Sequence, residues 1–201
     1  MVFATIRRGA SQDGFFAVPV EGSSFFIPES QLSQFSLHEG DGLSLQQFES
    51  LRQKIVGMRL RQKALDYLAM REHTRKELEL KLRMKEFPSD MIVAELDRLE
   101  TEKSLSDERF AEQFVASRQR KNPEGSSLLL RRLQQKGVDR TVAAEVLSRW
   151  FSDEDAVNEA MQKACMKLLR KGADQKEQIR QLLFRKGFSS RDISSFMERF
   201  D

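Results

Sequence analysis

One short segment of this chain occurs three times, and that constrains the fold more than any other feature. It reads Lys81-Leu82-Arg83-Met84-Lys85-Glu86-Phe87, then Arg132-Leu133-Gln134-Gln135-Lys136-Gly137-Val138, then Leu182-Leu183-Phe184-Arg185-Lys186-Gly187-Phe188. The lysines at 85, 136 and 186 are spaced by 51 and 50 residues. Self-similarity at such a period means stacked copies of one small unit, presenting long and shallow binding surfaces.

The match extends to both sides of the turn. Leu78, Leu129 and Ile179 stand four residues before Leu82, Leu133 and Leu183, which puts each pair on one helical face. Beyond the turn Ile92, Ala143 and Ile193 align, then Leu96, Leu147 and Met197, then Leu99, Trp150 and Phe200. Each unit is therefore helix, tight turn, helix. A further helix precedes each pair, over 59–70, 107–121 and 153–171, with apolar positions Leu65 and Leu68, then Phe110, Phe114 and Val115, then Val157, Met161, Ala164 and Leu168. A three-helix unit of this size buries too little alone and is expected to stack on its neighbours.

Local punctuation agrees. Thr74-Arg75-Lys76-Glu77 and Asp174-Gln175-Lys176-Glu177 read as helix N-caps with an acid three residues on, and Ser152-Asp153-Glu154-Asp155 as a similar start. Gly137 and Gly187 suit a left-handed residue just past a helix C-terminus. Glu86 takes that place in the first unit, so either the turn differs there or Glu86 is held at positive φ.

Residues 1–50 lack helical periodicity. Phe15-Phe16-Ala17-Val18-Pro19-Val20 and Phe25-Phe26-Ile27 flank the turn Glu21-Gly22-Ser23-Ser24, which predicts a β-hairpin with Pro19 and Pro28 at edges or strand ends. A turn of helix with Leu32 and Phe35 follows, then a loop at Gly40-Asp41-Gly42. Leu45, Phe48, Leu51 and Ile55 resume a helical stripe. The fold expected is mainly all-α: a hairpin extension over 1–50 and three-helix repeats over 51–104, 105–151 and 152–201.

Charge is unevenly placed. The net charge is +3, with −4 on residues 1–50 and +7 on the rest. Arg52, Lys54, Arg59, Arg61 and Lys63 have no acid among them, and nine basic residues between Lys163 and Arg191 face only Asp174 and Glu177. A polyanion, or a partner wrapped around one, is a target such clusters suit; solvated helix faces are the plainer account. The single cysteine, Cys165, cannot form an internal disulfide, which fits a reducing cytoplasm. The start of the chain has no apolar run of signal-peptide length, and no stretch approaches the roughly 20 apolar residues of a membrane span.

Catalytic chemistry is hard to find. His38 and His73 are far apart with no cysteine nearby, which argues against zinc. GxxxxGK[ST], GxGxxG and GxSxG do not occur, and Cys165 has no histidine in its own unit. Asp107-Glu108 and Asp153-Glu154-Asp155 sit at helix starts, where acids are structural. Trp150 and Phe151 align with core positions. The register of Tyr67 is not fixed by the pattern. No catalytic residue, cofactor or metal is expected.

A family resemblance follows. Ala64-Leu65-Asp66-Tyr67-Leu68-Ala69-Met70-Arg71-Glu72-His73-Thr74-Arg75-Lys76-Glu77-Leu78 resembles the opening signature of RecX regulatory proteins, Leu105-Ser106-Asp107-Glu108-Arg109-Phe110-Ala111 the second, and Leu133-x-x-Lys136-Gly137-Val138 the third. Residues 1–50 resemble, more loosely, the hairpin extension of some members, with Leu37-His38-Glu39-Gly40 as its Leu-x-x-Gly pattern. The departures are Glu86 in a Gly position, Thr74 where Ser is commoner, and Leu129-Leu130 in place of Arg-Leu, with Arg131 and Arg132 just after.

The resemblance implies a non-enzymatic modulator of the RecA recombinase, a cytoplasmic monomer with three-helix repeats in a bent, elongated, curved array. It would bind the RecA filament on single-stranded DNA, with weak direct DNA binding of its own and no membrane. It would suppress ATP hydrolysis, strand exchange and coprotease activity in DNA repair and the SOS response. The basic residues expected at that interface are Arg71, Arg75 and Lys76 in the first repeat; Arg118, Arg120, Arg131 and Arg132 in the second; and Lys167, Arg170, Lys171, Arg180 and Arg185 in the third. One rival is a helix-turn-helix-like protein acting directly on duplex DNA through Arg131, Arg132, Gln134 and Gln135. Another is a scaffold that binds protein alone, and an enzyme stands furthest away.

Overall fold

A computed structural model describes residues 1–9, 14–170, 172–173 and 175–198. The chain divides into two compact units, 1–63 and 64–201.

The first unit holds a four-stranded antiparallel sheet in the order β3-β2-β1-β4. Its strands are β1 (Ala4–Arg8), β2 (Gly14–Pro19), β3 (Phe25–Pro28) and β4 (Gly42–Leu43). The expected hairpin is the β2–β3 pair, joined through Gly22 at φ 103°. It is half of a larger sheet whose interior includes β1, a strand the sequence reading missed. Pro19 and Pro28 both end strands, where a missing donor costs no ladder bond. Helix α1 (Glu29–Gln34) follows, with Leu32 buried. Helix α2 (Leu45–Met70) starts at a reciprocal capping box: Gln47 N–H donates to Ser44 Oγ at 3.3 Å and Ser44 N–H to Gln47 Oε1 at 2.8 Å. Phe48, Leu51 and Ile55 from α2 close over Ala4, Ile6, Phe15, Ala17, Ile27, Leu32 and Leu43 to make one core. Leu45, read as the first residue of that stripe, is 54% exposed.

The second unit begins within α2 and contains α3 (Arg75–Arg83), α4 (Ser89–Thr101), α5 (Asp107–Lys121), α6 (Ser126–Gln135), α7 (Arg140–Phe151), α8 (Glu154–Leu169), α9 (Lys176–Arg185) and α10 (Ser190–Glu198). The aligned positions Leu78/Leu129/Ile179, Leu82/Leu133/Leu183, Ile92/Ala143/Ile193 and Leu96/Leu147/Met197 are all buried. Phe200, in the last aligned set, lies outside the described residues. Over residues 59–70 of α2 the buried residues are Leu60 and Ala64; Leu65 and Leu68 are only half-buried. The second repeat closes on Phe110, Val115, Leu129, Leu133 and Val146, and the third on Val157, Met161, Leu183, Phe188 and Phe196. Phe151 packs against both cores. Each fully buried Leu or Ile contributes about 1.5–3 kcal/mol, so cores this thin depend on sharing residues across their borders.

The helix starts follow their caps. Thr74 Oγ1 accepts from Glu77 N–H, Ser106 Oγ from Arg109 N–H, and Asp153 Oδ1 from Asp155 and Ala156 N–H. The cap residue of α9 is Gln175, one later than the expected Asp174, which lies outside the described residues.

Candidate interaction surface

The repeated turn is the joint between repeats. In the second repeat, Gly137 N–H donates to Gln134 O at 3.0 Å and Val138 N–H to Leu133 O at 3.1 Å, the paired bonds of a Schellman ending. The turn sits on the N-terminus of α3. Thr74 Oγ1 donates to Lys136 O at 2.8 Å while it accepts from Glu77 N–H at 3.0 Å. Lys136 Nζ donates to Glu77 Oε1 at 2.8 Å. Gly137 has φ 95°, and a Cβ there would lie 2.6 Å from Lys76 Cβ.

The third repeat repeats the device on α6. Gly125 N–H donates to Lys186 O at 2.9 Å, and Ser127 Oγ to Gly187 O at 3.0 Å. Lys186 Nζ donates to Asn122 Oδ1 at 3.1 Å and to Pro123 O at 3.3 Å. Gly187 has φ 88°, and its added Cβ would be 2.6 Å from Leu128 Cβ. The C-terminus of α9 thus abuts the start of α6, and that of α6 abuts the start of α3. In the first repeat Glu86 has φ 61°, and both Lys85 and Glu86 are exposed. The left-handed turn survives there with a side chain where the docked turns have none.

Many of the basic residues expected at an interface are occupied in holding this unit together. Arg75 bridges to Asp97 at 2.6 Å and Glu100 at 2.5 Å on α4. Its backbone N–H donates to Asp107 Oδ1 at 2.8 Å, so the acid that opens α5 caps α3 instead. Burial pushes the Asp107 carboxyl up, and that N–H only partly offsets it. Burial also disfavours the Glu77 carboxylate, but hydrogen bonds from Lys136 and Arg71 outweigh it, and the net shift is downward. Arg71 reaches Glu77 at 3.1 Å and Glu72 O at 2.7 Å. His73, beside them, is buried, with Nδ1 3.4 Å from Glu77 Oε2; desolvation, then Arg71 and Lys81, hold its pKa below the ordinary value.

Arg118 and Arg132 converge on one buried acid that the sequence reading passed over. Glu124, only 1% exposed, pairs with Arg118 and, at 2.8 Å, with Arg132 Nε. Gln119 fixes its backbone from both sides, donating to Glu124 O at 2.7 Å and accepting from Glu124 N–H at 3.2 Å. Lys167 donates to Lys121 O at the end of α5. Arg180 donates to Ser194 Oγ on α10 at 2.7 Å. The stem of Lys76 lies against Gly137. Arg120, Arg131, Arg170 and Arg185 are exposed. Lys171 lies outside the described residues. Tyr67 is half-buried, with Lys81 Nζ 4.6 Å above its ring and His73 at its edge.

Two family models match: "RecX, first three-helix domain" over 61–99 and "RecX, second three-helix domain" over 106–147. The regulatory protein RecX of Chlorobium phaeobacteroides is 35% identical over 138 residues, covering 68% of this chain and 89% of that protein. The chain belongs to the RecX family. The RecX protein of Bacillus subtilis is 36% identical over 144 residues, and the match spans 54% of its length. A crystal structure of regulatory protein RecX matches 98% of the chain with a TM-score of 0.74 at 21% identity, a likeness of fold. RecX from Lactobacillus salivarius matches 73% with a TM-score of 0.64 at 26% identity. The third repeat lies beyond both domain matches, and the joint chemistry at Lys186-Gly187 ties it to the second.

Proposed function

We propose that this protein regulates the RecA recombinase by binding its filament on single-stranded DNA, lowering ATP hydrolysis, strand exchange and coprotease activity in DNA repair and the SOS response. Family membership carries this reading: two RecX domains in order, and relatives named as regulatory proteins. The chemistry of the second unit supports it. Repeats joined end to end offer successive surfaces to a partner that is itself a repeating assembly. The exposed arginines Arg120, Arg131, Arg170 and Arg185 are the proposed contacts; Arg75, Arg118 and Arg132 serve the fold. Tighter binding to one state of the filament than to another is enough to bias its growth and turnover. Arginine contacts to phosphate make that binding weaken with salt.

Direct reading of duplex DNA has less support. Of the four groups that could reach base edges, Arg132 is committed to Glu124.

The test is RecA ATP hydrolysis on single-stranded DNA while this protein is titrated below and up to the RecA concentration. A fall at substoichiometric amounts is expected. An unchanged rate at equimolar protein with the cognate RecA overturns the proposal.

A further inference from the structure

Phe184 is 61% exposed, the one exposed aromatic side chain among the described residues. Its predecessor Leu183 points into the core of the third repeat, so the helix places Phe184 outward. The repeat does not need a ring there: the aligned residues are Arg83 and Gln134. A lone exposed apolar residue is ordinary, but this one has company. It lines a groove of about 390 Å³ between α9 and α10, together with Arg180, Gln181, Arg185 and Ser190. Arg180, one helical turn before Phe184, is fixed at that groove by its 2.7 Å bond to Ser194 Oγ. Arg185 is exposed beside the ring. The one acid lining the groove, Glu177, accepts from Gln181 Nε2 at 3.5 Å.

We propose that Phe184 is a stacking platform for an unpaired base of single-stranded DNA, with Arg180 and Arg185 holding the flanking phosphates. An aromatic face takes any base, and arginines beside it follow the backbone, the combination by which proteins hold single strands without reading sequence. Duplex DNA does not fit, because its bases already stack on one another. The proposal rests on the reading that this protein works on a filament containing single-stranded DNA, and it adds a contact with the DNA itself.

The full chain carries the test, by anisotropy of a fluorescein-labelled 20-nucleotide oligo-dT and of an abasic strand of equal length. Phe184→Ala, at an exposed position and with its fold checked by circular dichroism, is expected to weaken oligo-dT binding between about 5-fold and about 150-fold. Phe184→Trp keeps the affinity. The abasic strand binds wild type and Phe184→Ala alike, since only the stacking contact is lost. Arg185→Ala lowers the salt dependence on both strands, whereas Phe184→Ala leaves it unchanged. Equal binding of oligo-dT by wild type and Phe184→Ala overturns the platform. If that variant, binding oligo-dT like wild type, no longer lowers RecA ATP hydrolysis, the ring serves a protein contact instead. Wild type that lowers RecA ATP hydrolysis without binding oligo-dT overturns the platform and leaves the regulatory reading standing. Ring-dependent oligo-dT binding without any effect on RecA does the reverse.

Discussion

Gly137 meets two demands at once: a left-handed backbone and a neighbour where its side chain would be. Gly137→Val is therefore expected to cost about 2 kcal/mol or more, strain at φ 95° compounded by the Cβ clash with Lys76. Glu86→Gly relieves about 1 kcal/mol of left-handed strain and loses no docking contact, so it holds or raises stability. Urea titration of the full chain measures both; a clear loss in Glu86→Gly would show that the first turn depends on its side chain. The sequence marked these positions because Lys-Gly before an apolar residue is a local signal. It could not show why they must be small, since Lys76 and Leu128 are about 60 residues away in the chain. Glu77 shows the same limit: the acid three residues after the Thr74 cap was legible and is in place, but the reach of its carboxylate across to Lys136 was not.

The loop between α5 and α6 is held by a buried acid, and its removal is the sharpest test at the scale of elements. Glu124→Ala leaves Arg118 and Arg132 without their partner where α6 begins and where the third repeat docks. Both arginines keep some access to water, so the expected cost is about 2–3 kcal/mol in urea titration. Arg131→Ala, exposed on the same helix, is the control and should change stability by less than about 0.5 kcal/mol. Elements were legible where the pattern was long. The limits of α5 are those expected, 107–121, marked by Asp107-Glu108 at its start and the apolar positions Phe110, Phe114 and Val115. β1 escaped because Ala4 and Ile6 make only two steps of alternation in a five-residue strand beside Arg7 and Arg8. Its place inside the sheet comes from pairing with β2 on one side and β4 on the other, which no local window contains.

Across the molecule, acid should act in stages. His73 is neutral in the fold, with its pKa lowered, while in the unfolded chain it takes up a proton below about pH 6.5. Stability from this group is complete above that pH and is lost as pH falls toward the folded value. Glu77, lowered from 4.5, holds its contribution above that value and loses it on further acidification. Asp107, raised, runs the other way and is relieved by acid. The thermal midpoint is expected to decline between pH 7 and pH 5 in wild type and to flatten there in His73→Gln; equal slopes would remove His73 from the account. The sequence could name His73 and Glu77 but not this linkage, which arises only once burial and Lys136 bring them into one environment. The joint itself has a consequence for descent. The second repeat carries both halves of the fitting, a docked turn at one end of its middle helix and a receiving start at the other. Duplicating about fifty residues would add a piece already cut to match its neighbour, and losing one would leave Lys186 facing Glu77. Length can then change across generations in whole steps, and Glu86 marks the turn that is left exposed rather than seated on another helix start.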